Sequence, residues 1–353
     1  MALAQSPSRA EARDAPAEWI RRIPPAAALL AAVLLVMPAI ASGFVLIQIF
    51  AWSFILGMIA LSLMFLGGYG GMVSLAQMTI AGFAGYMVAI FGAHGDPAGA
   101  IGWPWWVAVP IALVLAMVFG AIVGALAIRT EGIYTIMITL AIAAAFFYFT
   151  NQNYAIFNGH TGISSIPTPH VFGVDWHDPI AFYYLSLALA ALSWGAVAWV
   201  ARAPFGLALQ GIRDNPRRMA ALGFNVNAHR VAAYVAASLI AAVGGILLVW
   251  SNAQVAPGTV NVSAAIDILV IAVVGGIGNP LGPFIGALIY AVLKTFALDI
   301  LVSLGLDGNR FRLLIGLGFL AIVFFSPDGV IGLWTKWRNR GRPPAAPSGG
   351  AHG

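Results

Sequence analysis

Long apolar segments recur along almost the whole chain, and they constrain its fold more than any other feature. The ten segments are 24–43, 44–66, 72–92, 105–128, 133–150, 179–201, 229–250, 263–276, 283–300 and 311–327. A helix crosses the hydrocarbon core of a bilayer with about 20 apolar residues. The pattern therefore predicts an all-α polytopic membrane protein with about ten transmembrane helices. The third, fifth, eighth and tenth segments are short or broken by glycine, so we expect them to be buried in protein or to line a cavity.

Composition agrees with a lipid environment. Of the 353 residues, 61% are hydrophobic and 8% are charged, whereas a soluble domain carries about 25% charged residues. The chain contains no cysteine, which excludes disulfides and thiolate metal sites. Runs typical of a phosphate-binding loop, a zinc protease or a serine hydrolase are absent, and His170, Asp175, His177 and Asp178 are typical of a solvated loop rather than a metal site. We therefore expect neither an enzyme nor a cofactor-binding chain.

The basic residues predict an orientation. With ten crossings, fourteen of them fall on one side: Arg9, Arg13, Arg21, Arg22, Arg129, Arg202, Arg213, Arg217, Arg218, Arg230, Lys336, Arg338, Arg340 and Arg342. Only Arg310 and Arg312 fall opposite, and Lys294 lies within a segment. This asymmetry predicts that both termini are cytoplasmic. Because the basic residues are spread over separate loops beside membrane segments, they favour contact with membrane lipid over nucleic acid.

The predicted organisation is a single membrane domain, 24–327, between a cytoplasmic N-terminal tail, 1–23, and a basic, disordered cytoplasmic tail, 328–353. Residues 202–230 form its longest cytoplasmic loop and 151–178 its main periplasmic loop. Signal-peptide cleavage near Ala39-Ile40-Ala41 is the alternative for the first segment, but acidic residues in the preceding region are atypical of it.

A glycine-rich stretch, 67–77, interrupts the membrane pattern with Gly67, Gly68, Gly70 and Gly71. Ser74 and Gln77 follow, and they would share one face if this stretch were helical. Two interpretations stay open: close helix packing with a local hydrogen bond, or a broken helix that lines a transport path.

The loop 202–230 predicts a short surface helix. Asp214 or Asn215 can cap it, Pro216 suits its first position, and Gly223 can end it. Such a helix of about two turns is marginal in water. It is expected either to rest on anionic lipid or to dock into a partner.

A second glycine-rich stretch, Gly275-Gly276-Ile277-Gly278, predicts a structural turn and echoes the first. Either an internal duplication or the glycine-rich composition common in membrane segments can account for the similarity of the two stretches. Asp267 and Lys294 flank this turn within apolar segments. A charge at mid-membrane costs about 3 kcal/mol on insertion scales, so these two residues are expected to pair or face a wet cavity, unless each reaches the interface separately.

Six motifs occur in an order that resembles one family. They are Gly70-Gly71-Met72-Val73-Ser74-Leu75 with Gly82 and Tyr86, Arg129-Thr130-Glu131-Gly132-Ile133-Tyr134 with Thr139-Leu140, Gly159-His160-Thr161-Gly162-Ile163, Gln210-Gly211-Ile212-Arg213-Asp214-Asn215-Pro216-Arg217-Arg218, Val274-Gly275-Gly276-Ile277-Gly278, and Phe325-Ser326-Pro327-Asp328-Gly329. Over 45–335, the chain resembles the LivM-type permeases of branched-chain amino acid ABC importers. It departs from the family's usual Gly-Gln-x-Ser-Leu-Gly at Gly71–Ala76, and at 158–163 it lacks the family's usual Thr-Gly-Gly-x-Asp/Asn-Gly.

The resemblance implies a permease in the bacterial inner membrane that forms half of a path. Its partners would be a second related permease, two ATPase subunits that carry ATP and Mg²⁺, and a periplasmic binding protein. The residues expected to couple to the ATPase are Arg213, Asp214, Asn215, Pro216, Arg217, Arg218, Ala220, Ala221 and Gly223. The residues expected along the path are Gly67, Gly70, Gly71, Ser74, Gln77, Tyr86, Thr161, Gly162 and Asp267.

The solute stays open among branched-chain amino acids, urea, amides and aromatic acids. An ion-coupled secondary transporter is the alternative function. Transporters of that class are expected to contain several acidic residues at mid-membrane. In this sequence Asp267 is nearly the only one.

Overall fold

The structure is a computed structural model that describes residues 25–92, 101–130, 132–171 and 174–303. Its helices are α1 (Pro25–Ile40), α2 (Gly43–Tyr69), α3 (Gln77–Phe91), α4 (Trp105–Ala127), α5 (Ile133–Gln152), α6 (Tyr154–Phe157), α7 (Pro179–Arg202), α8 (Pro204–Asp214), α9 (Pro216–Ala221), α10 (Val226–Asn252), α11 (Val262–Gly275) and α12 (Gly282–Ser303). Short 3₁₀ turns lie at Gly159–Thr161 and Pro257–Val260. The tenth predicted segment and both predicted tails lie outside the described residues.

Nine of the ten predicted segments coincide with helices, which confirms an all-α polytopic membrane protein. Among the described helices, five are long and apolar enough to cross a membrane: α2, α4, α5, α7 and α10. The third and eighth segments are short, as predicted. The fifth is not, because α5 runs for 20 residues without a break. Within 151–178, β1 (His170–Val171) pairs antiparallel with β2 (Val174–Asp175), a small exception to the helical architecture.

Helix α2 is the centre of the bundle. Every residue from Ser53 to Met64 is buried, as expected of a helix that is apolar on all sides. Two π-helical turns, Leu46–Ala51 and Phe65–Tyr69, lie near its ends. Its main neighbours are α10, α11 and α12. The ends of α2 are therefore the places where its backbone departs from regular geometry.

Small residues allow α4 and α10 to approach closely. The buried residues of α4 include Ala108, Ala112, Ala116, Gly120 and Gly124, which are spaced by one helical turn and so form one stripe. Side chains of α10 lie against this stripe, and a Cβ added at Gly124 would lie 2.7 Å from the Cβ of Tyr234. This spacing of small residues is a common basis for helix association in membranes.

The described bundle has two distinct ends. At one end, which we call the basic end, the α4–α5 loop, the α8–α9 junction and the start of α10 line a common cavity. At the opposite end, which we call the far end, Ile163 and Val255 exchange backbone hydrogen bonds of 2.9 Å in both directions. Helix α10 has 27 residues and so spans about 40 Å between these ends.

Candidate functional site

The first glycine-rich stretch lies where α2 ends at the basic end. The chain leaves α2 after Tyr69 and turns at Gly71, whose φ of +67° suits glycine. Ser74 lies outside any helix, so the helical geometry in which it would share a face with Gln77 does not occur. The cause is the turn at Gly71, which ends helical geometry before α3 begins. Gly67 is half-buried, Gly70 is buried and Gly71 is exposed.

The two glycine-rich stretches lie against each other. A Cβ added at Gly68 would lie 2.5 Å from the carbonyl oxygen of Ile277, and one added at Gly67 would lie 3.6 Å from its Cγ2. Gly275 ends α11, and Gly276 has a φ of +110°. The Asn279 side chain accepts from the backbone N–H of Leu281 at 3.0 Å as the turn leads to α12. The absence of a side chain at Gly68 is thus what lets the end of α2 meet this turn.

The predicted loop helix is present as α9. It begins at Pro216, and the side chain of Asn215 accepts from the backbone N–H of Arg218 at 2.9 Å. Asn215 rather than Asp214 is therefore the cap. The helix ends at Ala221, and Gly223 follows with a φ of +91°.

No side chain of α9 is buried within the described chain. Arg217, Arg218, Ala220 and Ala221 are exposed. Just beyond the helix, Leu222 is 67% exposed and Phe224 is 40% exposed. This combination of basic and apolar side chains forms an open surface, which we call the α9 surface.

Helix α8 precedes α9 and was not predicted. Its buried face holds Gly206, Ala208, Leu209 and Ile212. The sequence did carry a signal for it, because Pro204 suits a first helical position and the apolar residues that follow recur at helical spacing. Through this face α8 fixes α9 to the bundle.

Arg213, the penultimate residue of α8, connects the loop to the end of α2. Its Nη1 donates to the carbonyl oxygen of Gly68 at 2.5 Å, and its Nε donates to Oδ1 of Asp214 at 2.9 Å. A Cβ added at Gly71 would lie 2.7 Å from Cγ of Arg213. Gly68 therefore contacts both the α8–α9 loop, through Arg213, and the second glycine-rich turn, through Ile277.

Two of the predicted path residues, Ser74 and Gln77, have side chains in the interior. Gln77 Oε1 accepts from Ser62 Oγ at 3.0 Å, and both side chains are fully buried. Ser74 is also fully buried, and the neighbouring N–H of Leu75 donates to Oγ1 of Thr139 at 3.1 Å. These contacts fix α3 to α2 and α5.

Tyr86 is buried in an aromatic cluster. Its ring centroid lies 6.3 Å from that of Phe146 and 5.1 Å from that of Phe157, both edge to face. Edge-to-face contacts of this kind favour a fixed packing of the rings. In this conformation Tyr86 therefore joins α3 to α5 and α6.

Thr161 and Gly162 lie at the far end. Oγ1 of Thr161 donates to the carbonyl of Asn158 at 2.8 Å, and Gly162 has a φ of +71°. The next residue, Ile163, forms the bridge to Val255. These residues shape the loop over the bundle, far along α10 from α9.

Asp267 and Lys294 line one cavity of about 240 Å³ at the far end, here called the far-end cavity. The result agrees with the expectation that the two charges face a shared cavity. Nζ of Lys294 lies 5.0 Å from the centroid of the Trp52 ring, a distance at which a cation is attracted to the ring face. Among the described residues, no group of three or more metal-ligating side chains could hold a metal ion.

Comparison with known proteins identifies the family. Residues 45–323 match the profile of the family described as "Branched-chain amino acid transport system / permease component". The chain belongs to this family. The matched region of this permease begins within α2, runs past the end of the described residues and contains every helix described above except α1.

Individual relatives are distant. The high-affinity branched-chain amino acid permease protein LivM of Escherichia coli is 24% identical over 250 residues, 64% of this permease and 57% of the relative. A probable LivM of Methanocaldococcus jannaschii is 26% identical over 233 residues, 63% of this permease and 67% of the relative. The ribose import permease RbsC of Haemophilus influenzae is 24% identical over 262 residues, 70% and 76% of the two chains. No solved structure matches the permease.

Proposed function

We propose that this permease forms half of the path of an ATP-driven importer for a small polar solute, in a bacterial inner membrane. Two ATPase subunits, which carry ATP and Mg²⁺, would dock at the basic end. A second, related permease would complete the path, and a periplasmic binding protein would deliver the solute. The observation that carries the proposal is the α9 surface, joined by Arg213 to the end of α2.

The α9 surface supports docking. An isolated helix of this length is marginal in water, and α9 buries no side chain within the described chain. Its cap at Asn215 and the buried face of α8 hold it in place, yet Arg217 and Arg218 stay exposed. Basic side chains beside exposed Leu222 and Phe224 suit a groove with acidic and apolar walls.

Arg213 can transmit a movement of α8 and α9 to the end of α2. Displacement of α8 and α9 by a docked ATPase would move the guanidinium that binds the Gly68 carbonyl. Gly68 in turn touches the Ile277 carbonyl, so the ends of both α2 and α11 would respond. Glycine adopts backbone angles that other residues avoid, so turns of this composition let the two helix ends reorient, which suits alternating access.

The basic end supports a cytoplasmic orientation for α9. Arg213 and Arg230 line the cavity there together with the α4–α5 loop, which carries Arg129. Arginine-rich short loops favour the cytoplasmic side of a bilayer. The same side is where ATP would be available to partner subunits.

The relatives bear on the solute. Two of those named above carry names for branched-chain amino acid transport and one for ribose import. We therefore take the solute to be a branched-chain amino acid or another small polar molecule such as urea, an amide or an aromatic acid.

The test is reconstitution of the permease with its partner subunits in proteoliposomes. We expect solute uptake to require ATP, and we expect Arg217→Glu/Arg218→Glu to abolish uptake because reversed charge repels the docking groove. Arg129→Glu, an exposed reversal in another loop of the same end, serves as the matched control. Uptake driven by an ion gradient without the ATPase would overturn the proposal in favour of a secondary transporter. Intact transport and assembly in the double variant would overturn the docking role of α9.

A further inference from the structure

A groove runs between α2 and α12 toward the far end of the bundle, and we call it the α2–α12 groove. Its volume is about 250 Å³. We propose that it binds an anionic phospholipid of the membrane leaflet at the far end, with the phosphate beside Lys294 and an acyl chain along the two helices. This inference goes beyond the importer function and does not depend on it, because it concerns the permease alone.

Helix α2 forms one wall of the groove. The residues that line it are four apart and so lie on one face of the helix: Phe44, Gln48, Trp52 and Leu56. Phe44 and Gln48, which are nearest the far end, are exposed, whereas Leu56 is buried. This wall is therefore open at the far end and closes toward the middle of the bundle.

Helix α12 forms the opposite wall with Ala291, Lys294 and Thr295. Because α12 runs from the glycine-rich turn toward the far end, Lys294 and Thr295 lie about one helical turn farther out than Ala291. Lys294 is exposed, Thr295 is half-buried and Ala291 is buried. The polar groups of the groove thus lie outside its apolar groups, which is the order of headgroup and acyl chain in a lipid of the far-end leaflet.

Lys294 lies at a depth that a lipid phosphate can reach. It also lines the far-end cavity, together with Gly258, Thr259 and Asn261 from the loop between α10 and α11. Loops that connect membrane helices lie at the bilayer surface, where water and headgroups satisfy their backbone groups. The ammonium of Lys294 is therefore close to the headgroup level.

The charge in the groove favours an anion. Nζ of Lys294 lies 5.0 Å from the centroid of the Trp52 ring, and a ring face attracts a cation without cancelling its charge. No acidic side chain is among the described residues that line the groove, and Asp267, in the adjacent far-end cavity, has an interaction of its own. A lipid with net negative charge complements this surface better than a zwitterionic lipid, whose phosphate is balanced by its own ammonium.

Neutral donors accompany the ammonium. The amide of Gln48, the hydroxyl of Thr295 and the indole N–H of Trp52 line the same groove, and each can donate to a phosphate oxygen. Lysine itself binds phosphate as a point charge with three donors. Tryptophan is also enriched at the level of the headgroups. The outer part of the groove therefore suits a phosphate, and the inner part suits a hydrocarbon chain.

The experiment uses the purified full-length permease in nanodiscs that contain equal parts of phosphatidylglycerol, which is anionic, and phosphatidylethanolamine, which is zwitterionic. Native mass spectrometry then counts the lipids that stay bound when the permease is released. We expect the wild type to retain phosphatidylglycerol about threefold over phosphatidylethanolamine, a preference that one exposed ion pair can support. Equal retention of the two lipids would overturn the proposal.

The variants assign the preference to the groove. Lys294→Met should abolish it, whereas Lys294→Arg keeps the charge and should keep it. Arg129→Met removes an exposed cation at the basic end and is the matched control. Gln48→Leu should reduce the preference, whereas Gln152→Leu, at an exposed glutamine that ends α5 outside the groove, should not. A preference that is unchanged in Lys294→Met would overturn the proposal.

A photo-crosslinking experiment distinguishes a lipid from a protein occupant. The chain has no cysteine, so Gln48→Cys can be labelled at one position with benzophenone maleimide and irradiated in the assembled complex. We expect an adduct with phospholipid. An adduct with a second permease subunit would overturn the proposal, because a protein interface would then cover the groove. Failure of ATP-driven uptake, with the lipid preference intact, would instead count against the proposed function alone.

Discussion

At the residue scale, Gly68 joins two contacts between separate parts of the chain. Its carbonyl accepts from Arg213, and its α-carbon faces the carbonyl of Ile277. A hydrogen bond to the backbone carbonyl can form with any residue at 68. The contact with Ile277 cannot, because it requires that no side chain be present.

We expect Gly68→Ala to destabilise the permease by about 1–3 kcal/mol, as overpacking does in a close-packed interior. The added Cβ would lie 2.5 Å from a backbone oxygen, so a segment of chain must shift. The loss should be visible in thermal unfolding in detergent, read as the monodisperse fraction left after heating.

Gly195→Ala is the matched control for this substitution. Gly195 lies within α7, and a Cβ there would meet no atom within 4 Å. Because alanine is favoured over glycine inside a helix by about 1 kcal/mol, this variant should be as stable as the wild type or more so. Equal stability of the two variants would show that the Gly68–Ile277 approach does not constrain the fold.

At the element scale, α9 depends on its cap more than α10 does. Asn215 and Asn225 make equivalent bonds, to the N–H of Arg218 at 2.9 Å and of Ala228 at 3.0 Å. However, α10 has 27 residues and an extensive buried face, whereas α9 has 6 residues and buries none within the described chain. Little besides the cap and α8 therefore holds α9 in helical form.

Replacing the Asn215 cap should make α9 unfold locally more often. Loss of an N-cap costs about 0.5–2 kcal/mol, so Asn215→Ala should speed amide exchange in α9, measured by hydrogen–deuterium exchange, while Asn215→Asp should not. Asn225→Ala is the control, and α10 should stay protected because its packing supports it. Unchanged exchange in Asn215→Ala would mean that contacts other than the cap maintain α9.

Most of the elements could be predicted from the sequence, because apolar length is a direct consequence of crossing a bilayer. Helix α8 was missed, since it presents only one apolar face and lies in a stretch that was interpreted as a cytoplasmic loop. Ser74 and Gln77 do not share a helical face, because the interruption at Gly71 ends helical geometry before Ser74. A glycine-rich turn indicates that another segment of the chain packs closely against it, but the sequence does not identify that segment. The contact between Gly68 and Ile277 therefore had no signal in either stretch.

The candidate site was predicted unevenly for the same reason. Capping chemistry is local, so Asn215, Pro216 and Gly223 could be placed from sequence alone. Ser74, Gln77 and Tyr86 are buried in this conformation, and their place along a path stays a prediction. For Asp267 and Lys294, the cost of charge in lipid predicted that they pair or face a wet cavity, with separate contact to the interface as the alternative. It gave no indication that Trp52 lies beside Lys294 in the far-end cavity.

At the scale of the whole molecule, α2 connects the two candidate sites. Trp52 lies in the far-end cavity and Gly68 meets Arg213 at the basic end. The two residues are 16 positions apart in the sequence, which corresponds to about 24 Å of helix. Since Ser53–Met64 are all buried, this part of α2 is surrounded by close-packed neighbours and would move as a unit. A displacement of α8 and α9 would then be transmitted along α2 to the far-end cavity.

The orientation that this scheme needs can be tested directly, because the permease has no cysteine and so gives no background labelling. Single cysteines at His160, in the far-end loop, and at Leu222, beside α9, replace exposed side chains at opposite ends. In intact spheroplasts, a membrane-impermeant maleimide should label His160→Cys, whereas Leu222→Cys should react only after permeabilisation. Leu192→Cys, 67% exposed in the middle of α7, should stay unlabelled in both conditions because lipid covers it. The reverse pattern at the two ends would place α9 outside the cell, away from any source of ATP, and the importer proposal would fail with it.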